Sequence, residues 1–109
     1  MPIEPSRHQA IAKLVGACNG FEWDEGNRYK NWISHGVSET EAEEVFIGYP
    51  LRLSDDVKHS QIEDRYAALG KTKKNRTLFV AFTIRGTKIR IISARDMSEK
   101  DRREYGEET

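Results

Sequence analysis

Residues 65–95, RYAALGKTKKNRTLFVAFTIRGTKIRIISAR, constrain this chain more than any other stretch. They hold its most apolar segments, Leu78–Ile84 and Ile89–Ile92, broken by two turn signals. Lys73-Lys74-Asn75 and Arg85-Gly86-Thr87-Lys88 each suit a reversal, so 65–69, 77–85 and 88–95 are expected to be three antiparallel strands. The same window carries nine Lys or Arg residues and no Asp or Glu. The charges fall at turns and at alternate positions. A sheet that shows one sign of charge on a concave side suits a polyanion, for which RNA is the obvious candidate.

The opposite sign is concentrated upstream, where residues 22–64 carry eleven acids against four Lys or Arg. The totals cancel at 18 each, so net charge is uninformative and the segregation is what matters. One part of the surface is suited to a polyanion and another to a basic partner. The plainer alternative is mutual neutralisation across the fold.

The rest of the chain supplies helices. Ser6 with Gln9 forms a capping-box pattern ahead of an apolar stripe, Ala10, Ile11, Leu14 and Val15, with Gly16 and Gly20 at its end. Residues 1–20 are therefore expected to be an added N-terminal helical extension, and 21–109 a single globular domain. Phe21-Glu22-Trp23 alternates like a short strand. Asp24 caps a second helix to about Ser34, whose buried face is expected to be Tyr29, Trp32 and Ile33. Ser38 and Glu41 form another capping box, with Ala42, Val45 and Phe46 as the apolar stripe of a third helix. Leu51-Arg52-Leu53 alternates like a strand, and Ser98 with Asp101 opens a last helix over 99–105. The order predicts an α+β fold, a mostly antiparallel sheet of four to five strands with the helices packed on one face.

The chemistry open to such a chain is narrow. His8, His35 and His59 are far apart in sequence, and no paired His or Cys spacing marks a metal site; the Asp55-Asp56 pair near His59 is a solvated loop in the ordinary case. No glycine-rich phosphate or dinucleotide motif occurs, so neither metal nor cofactor is expected. The single Cys18 cannot form an internal disulfide, which is compatible with a reducing compartment. No apolar run approaches the roughly 20 residues that cross a bilayer, so a cytoplasmic location is expected. Metal-free phosphodiester chemistry stays open beside the plainer reading of salt-bridged surface residues; in it the 2′-hydroxyl of RNA is the nucleophile and the protein supplies proton transfer and cations. His59, Glu63 and Arg65 offer all three group types within seven residues, and Arg85 and Arg90 can add to the cationic cradle. The simpler reading of Glu63 and Arg65 is an ion pair on one strand face. Arg90 and Arg95 differ in parity, so they share a face only if a bulge intervenes.

These residues resemble a known family. Phe21-Glu22-Trp23-Asp24, Asn31, His35-Gly36-Val37-Ser38, Glu41-Ala42 and Val45-Phe46 are similar to the N-terminal half of BrnT toxins. The resemblance continues through Asp55-Asp56, His59-Ser60, Glu63, Arg65, Gly70, Arg76 and Leu78. It ends with Phe82-Thr83, Arg85-Gly86, the run Ile89–Arg95, and Arg102-Arg103 before Tyr105. It implies a RelE-like fold and a ribonuclease toxin of a type II toxin–antitoxin pair, cleaving RNA without a metal and arresting translation and growth. It further implies a BrnA-type antitoxin carrying a ribbon-helix-helix element, so that DNA is contacted only through that partner. On this basis the expected catalytic residues are His59, Glu63, Arg65, Arg85 and Arg90, and the expected RNA contacts are Lys88, Arg95 and Tyr105. The alternative is a catalytically weak RNA- or antitoxin-binding module within an autorepressor complex. The chain departs from the family pattern at Ser34, at Glu39, and at Asp96, which sets an acid beside the basic surface.

Overall fold

The structure, a computed structural model, describes residues 6–56 and 63–106, leaving aside the side chains of Arg28, Asn31 and Ile33. Its elements run α1 (Arg7–Gly16), β1 (Phe21–Trp23), α2 (Glu25–His35), α3 (Glu39–Ile47), β2 (Arg52–Asp55), β3 (Tyr66–Lys71), β4 (Thr77–Arg85), β5 (Lys88–Asp96) and α4 (Glu99–Tyr105). The capping boxes expected at Ser6, Ser38 and Ser98 are all formed, each serine accepting the backbone N–H three residues on. Asp24 caps α2, its Oδ1 accepting from the N–H of Gly26 at 2.9 Å.

The sheet is ordered β1-β5-β4-β3-β2, antiparallel throughout except where β1 joins β5 in parallel. The expected α+β class and mostly antiparallel sheet are thus present. Alternation divides each strand between two faces. On one face Leu53, Ala68, Leu78, Val80, Phe82, Ile89, Ile91 and Ala94 form the main core with Ile11, Val37, Ala42 and Val45 from the helices. Phe82 is its centre, edge-to-face with Phe46 at 4.9 Å and tilted against Tyr66 at 5.5 Å. Such pairs add roughly 0.5–1.5 kcal/mol beyond area burial. Gly70 brings α3 down onto β3, since a Cβ there would lie 2.8 Å from Val45 Cγ1.

Helix placement differs from the expectation of a single covered face. α1 and α3 pack on the main core, whereas α4 sits on the reverse face, where Met97 and Tyr105 meet Leu69 and Phe79 in a second, smaller cluster. α2 lies along β5 and walls the same reverse face. Its expected buried side is also corrected, because Tyr29 is 70% exposed and Trp32 59% exposed. Apolar spacing gives a helix two unlike sides but does not say which one the sheet will take.

The N-terminal helix is firmly attached. Ile11 is fully buried in the main core. Arg7 grips Asp55 through two bonds of 2.7 Å, and His8 Nδ1 accepts the N–H of Leu53 at 3.0 Å. That last bond satisfies a donor on the sheet's outermost strand, which would otherwise be an open edge.

Candidate active site

A cleft of about 410 Å³ opens on the reverse face between α2 and the sheet, within the range typical of ligand pockets. Its floor is Phe79, Ala81, Ile92 and Ser93; small side chains at Ala81 and Ser93 keep it low. Asn27, Lys30 and His35 project from α2, and Asp56, Arg65 and Arg95 come from the sheet and its approach. Three cations, Lys30, Arg65 and Arg95, and one carboxylate, Asp56, line it.

Arg95 reaches this cleft because of a bulge. The β4–β5 register runs Phe82 with Ile91 but Ala81 with Ser93, so Ile92 is an extra residue. In unbroken alternation Arg95 would share the core face with Ile91. The inserted residue resets the parity, leaving Ala94 in the core and placing Arg95 on the face that carries Arg90, opposite Phe79. Its guanidinium lies over the Phe79 ring at 4.2 Å, and Nη1 donates to Asp101 Oδ2 at 2.7 Å and to Asp96 O at 3.0 Å. Asp101 also accepts the Ser98 N–H at 2.9 Å. Burial pushes the Asp101 carboxyl up, but the Ser98 N–H and Arg95 outweigh it and hold it below its usual range.

Arg65 enters at the other end of the cleft. Its carbonyl accepts the N–H of Asp56 at 2.8 Å, which ties the ends of β2 and β3 together. Arg65 stands about four β4 residues from Arg95, roughly 13 Å at the strand rise, so the cations suit a strand laid along the sheet.

Arg76 fixes the wall. It donates through Nε and Nη2 to Asp96 Oδ1 and Oδ2 at 2.7 and 3.1 Å, and through Nη1 to Glu41 Oε2 at 3.1 Å. It also holds the carbonyls of Gly36 at 2.8 Å and His35 at 3.1 Å. From the β3–β4 turn it thereby clamps β5, α3 and the end of α2 together, with His35 set at the cleft. Asp96 is not a loose acid beside the basic face: the Arg76 hydrogen bond holds its carboxyl below the usual range. Gly36 adopts φ +60, the left-handed turn that ends α2.

The other expected site residues fall elsewhere. Arg90 pairs with Glu22 at 2.6 Å and Asp24 at 3.5 Å and its side chain is only 18% exposed, so it ties β5 to β1 and the start of α2. Glu63 meets Arg85 at 3.6 Å, at the same end of the sheet as Arg65 but outside the cleft lining. Lys88 packs its side chain by Gly20, near the β1 end of the sheet. Tyr105 is corrected as an RNA contact, because its ring is 4% exposed and its hydroxyl donates to Pro50 O at 2.5 Å. His59 lies outside the described residues.

Sequence reasoning missed Asn27, Lys30 and His35 as cleft residues. Their signal was weak but present: they recur on one side of α2, opposite Tyr29 and Trp32. The family model described as "Ribonuclease toxin, BrnT, of type II toxin-antitoxin system" matches residues 23–101. The chain belongs to the BrnT family. It is therefore a ribonuclease toxin of the type II toxin–antitoxin class, a class that implies an RNA substrate and an antitoxin partner. The crystal structure of the Brucella abortus ribonuclease toxin BrnT is similar, with a TM-score of 0.55 at 24% identity, covering 73% of this chain and 97% of that one. That similarity supports the fold. No curated protein matches the chain. The family match begins at Trp23, so α1 lies outside it although Ile11 is part of the core.

Proposed function

We propose that the chain is a metal-independent endoribonuclease that cleaves RNA through the substrate's own 2′-hydroxyl and so inhibits translation and growth in the cytoplasm. The observation that carries this reading is the convergence of Lys30, Arg65, Arg95 and His35 on one cleft. The RNA strand lies along the sheet with its phosphates toward Arg65, Arg95 and Lys30. As the 2′-oxygen attacks phosphorus, negative charge grows on the non-bridging oxygens. A cation already held in place stabilises that charge without reorganisation, and losing one such group typically costs about 10²- to 10³-fold in rate. Arg95 is held in advance by Asp101 and Phe79.

Proton transfer falls to His35, the imidazole among the described cleft residues, because an imidazole nitrogen can both accept and donate a proton. Glu63 with Arg85 supports the end of the site at Arg65, and Arg90 sets the start of α2 through Glu22 and Asp24. The partner that neutralises the toxin is a BrnA-type ribbon-helix-helix antitoxin, through which alone the pair contacts operator DNA.

The test is incubation of antitoxin-free protein with a defined RNA in EDTA. Products ending in 2′,3′-cyclic phosphate and 5′-hydroxyl groups are expected. No cleavage of free RNA and none with translating ribosomes would overturn the reading and leave a binding module.

A further inference from the structure

α1 reaches the cleft from outside the segment that the family model covers. β2 is four residues long and is the outermost strand, paired on one side with β3. A strand of that kind frays from its ends unless something holds it, because its ladder bonds are few and lie next to water. The end at stake is Asp55, which pairs with Tyr66. The next residue, Asp56, donates its N–H to Arg65 O at 2.8 Å, and the two residues line the cleft. Fraying at Asp55 would therefore release a backbone tie that sets Arg65.

Arg7 holds that end. Its Nε and Nη2 donate to Asp55 Oδ2 and Oδ1, each at 2.7 Å, across 48 residues of sequence. Two parallel bonds between planar groups fix direction as well as distance, which sets this pair apart from an ordinary exposed ion pair. The Arg7 hydrogen bond keeps the Asp55 carboxyl below its usual range. The helix that carries Arg7 is itself anchored. Ile11 is fully buried, and His8 Nδ1 accepts the N–H of Leu53, two residues before Asp55, at 3.0 Å. On the other side of Arg65, Thr83 Oγ1 donates to Asp64 O at 2.6 Å. Arg65 is thus flanked by two backbone ties, and the one through Asp56 depends on α1.

We propose that α1 is part of the active-site scaffold and that Arg7 is a positioning residue, acting through Asp55 and Asp56 to hold Arg65 in the cleft. The proposal rests on the reading of Arg65 as a cation of the RNA-cleavage site. A misplacement of about 1 Å at a reacting centre can cost about 10²-fold, so a loosened strand end lowers turnover without unfolding the protein. Residues 1–20 are then not an appendage to the toxin domain but a support for one end of its site.

The test is a kinetic double-variant cycle on the full chain with a defined RNA, together with amide hydrogen exchange. Arg7→Ala should lower kcat about tenfold or more and change KM less than about threefold, since the loss falls on the transition state. Asp55→Asn should do the same, and the two changes together should cost no more than either alone, because they break one interaction. In an Arg65→Ala background, Arg7→Ala should cost less than about twofold, since the residue it positions is gone. Exchange of the Asp56 amide should be about tenfold faster or more in Arg7→Ala, with the amides of β4 as slow as in the wild type. Wild-type kcat in Arg7→Ala overturns the proposal. So does a loss of the same size in the Arg65→Ala background, which would mark a general effect on the fold. If the wild type cleaves no RNA, the reading of the cleft has failed on its own. Exchange at Asp56 then still decides the structural half: faster exchange upholds the hold of Arg7 on this end of the sheet, and unchanged exchange overturns it.

Discussion

Along β4, Leu78, Val80 and Phe82 enter a closed apolar core, while Phe79 and Ala81 look onto a face left partly open as a cleft. The same alternation makes both. The core side is filled by α1 and α3 and admits no charge. The reverse side is flanked by α2 and α4 and collects Lys30, Arg65 and Arg95. The difference teaches that stability and chemistry are divided by strand parity here, so substitutions on opposite faces should fail in different ways.

The largest effect expected is from Phe82→Ala. It empties the centre of the core and should cost about 3–5 kcal/mol by chemical denaturation. A loss below about 1 kcal/mol would mean the core side is not the stabilising side. Next, Ile11→Ala tests whether α1 belongs to that side, with an expected loss of about 2–5 kcal/mol. An N-terminal appendage would give a change too small to measure.

His35→Ala sharpens the comparison from the other face. Cleavage of a defined RNA should fall about 10²-fold or more with the unfolding midpoint little changed. Retained activity would move proton transfer away from this ring.

The smallest effect is electrostatic. Arg76 holds the Asp96 carboxyl low; burial raises Glu41, but the Ser38 N–H and Arg76 together bring it below its usual value. Both carboxyls titrate lower when folded than unfolded. Their contribution is therefore complete above about pH 4–5 and is lost as pH falls through the lowered values. Stability measured from pH 6 to 2 should drop at the acid end. Arg76→Gln should make that drop shallower, and an unchanged slope would contradict the clamp.

The sequence carried local features well and tertiary ones poorly. Ser6, Ser38 and Ser98 were legible as caps because each bond closes within three residues. The strands were legible because their alternation is local too. The side of α2 that meets the sheet was not, since an amphipathic pattern marks two sides without saying which is covered. Nor was the face of Arg95, because the extra residue at Ile92 has no Gly or Pro to announce it. Lys30 and His35 join Arg65 and Arg95 only when α2 packs along β5, across a separation of 30 or more residues. That Arg65 lies beside the sheet was legible, because its charge and the neighbouring strand are both local features.

The most direct test of this division is the double variant Arg65→Ala with Arg95→Ala, assayed for folding and for RNA cleavage in EDTA on the same preparation. The account predicts a cooperative unfolding transition within about 2 kcal/mol of the wild type and cleavage reduced by about 10³-fold or more. Cleavage within tenfold of the wild type, with the fold intact, would contradict it and place the chemistry outside the cleft.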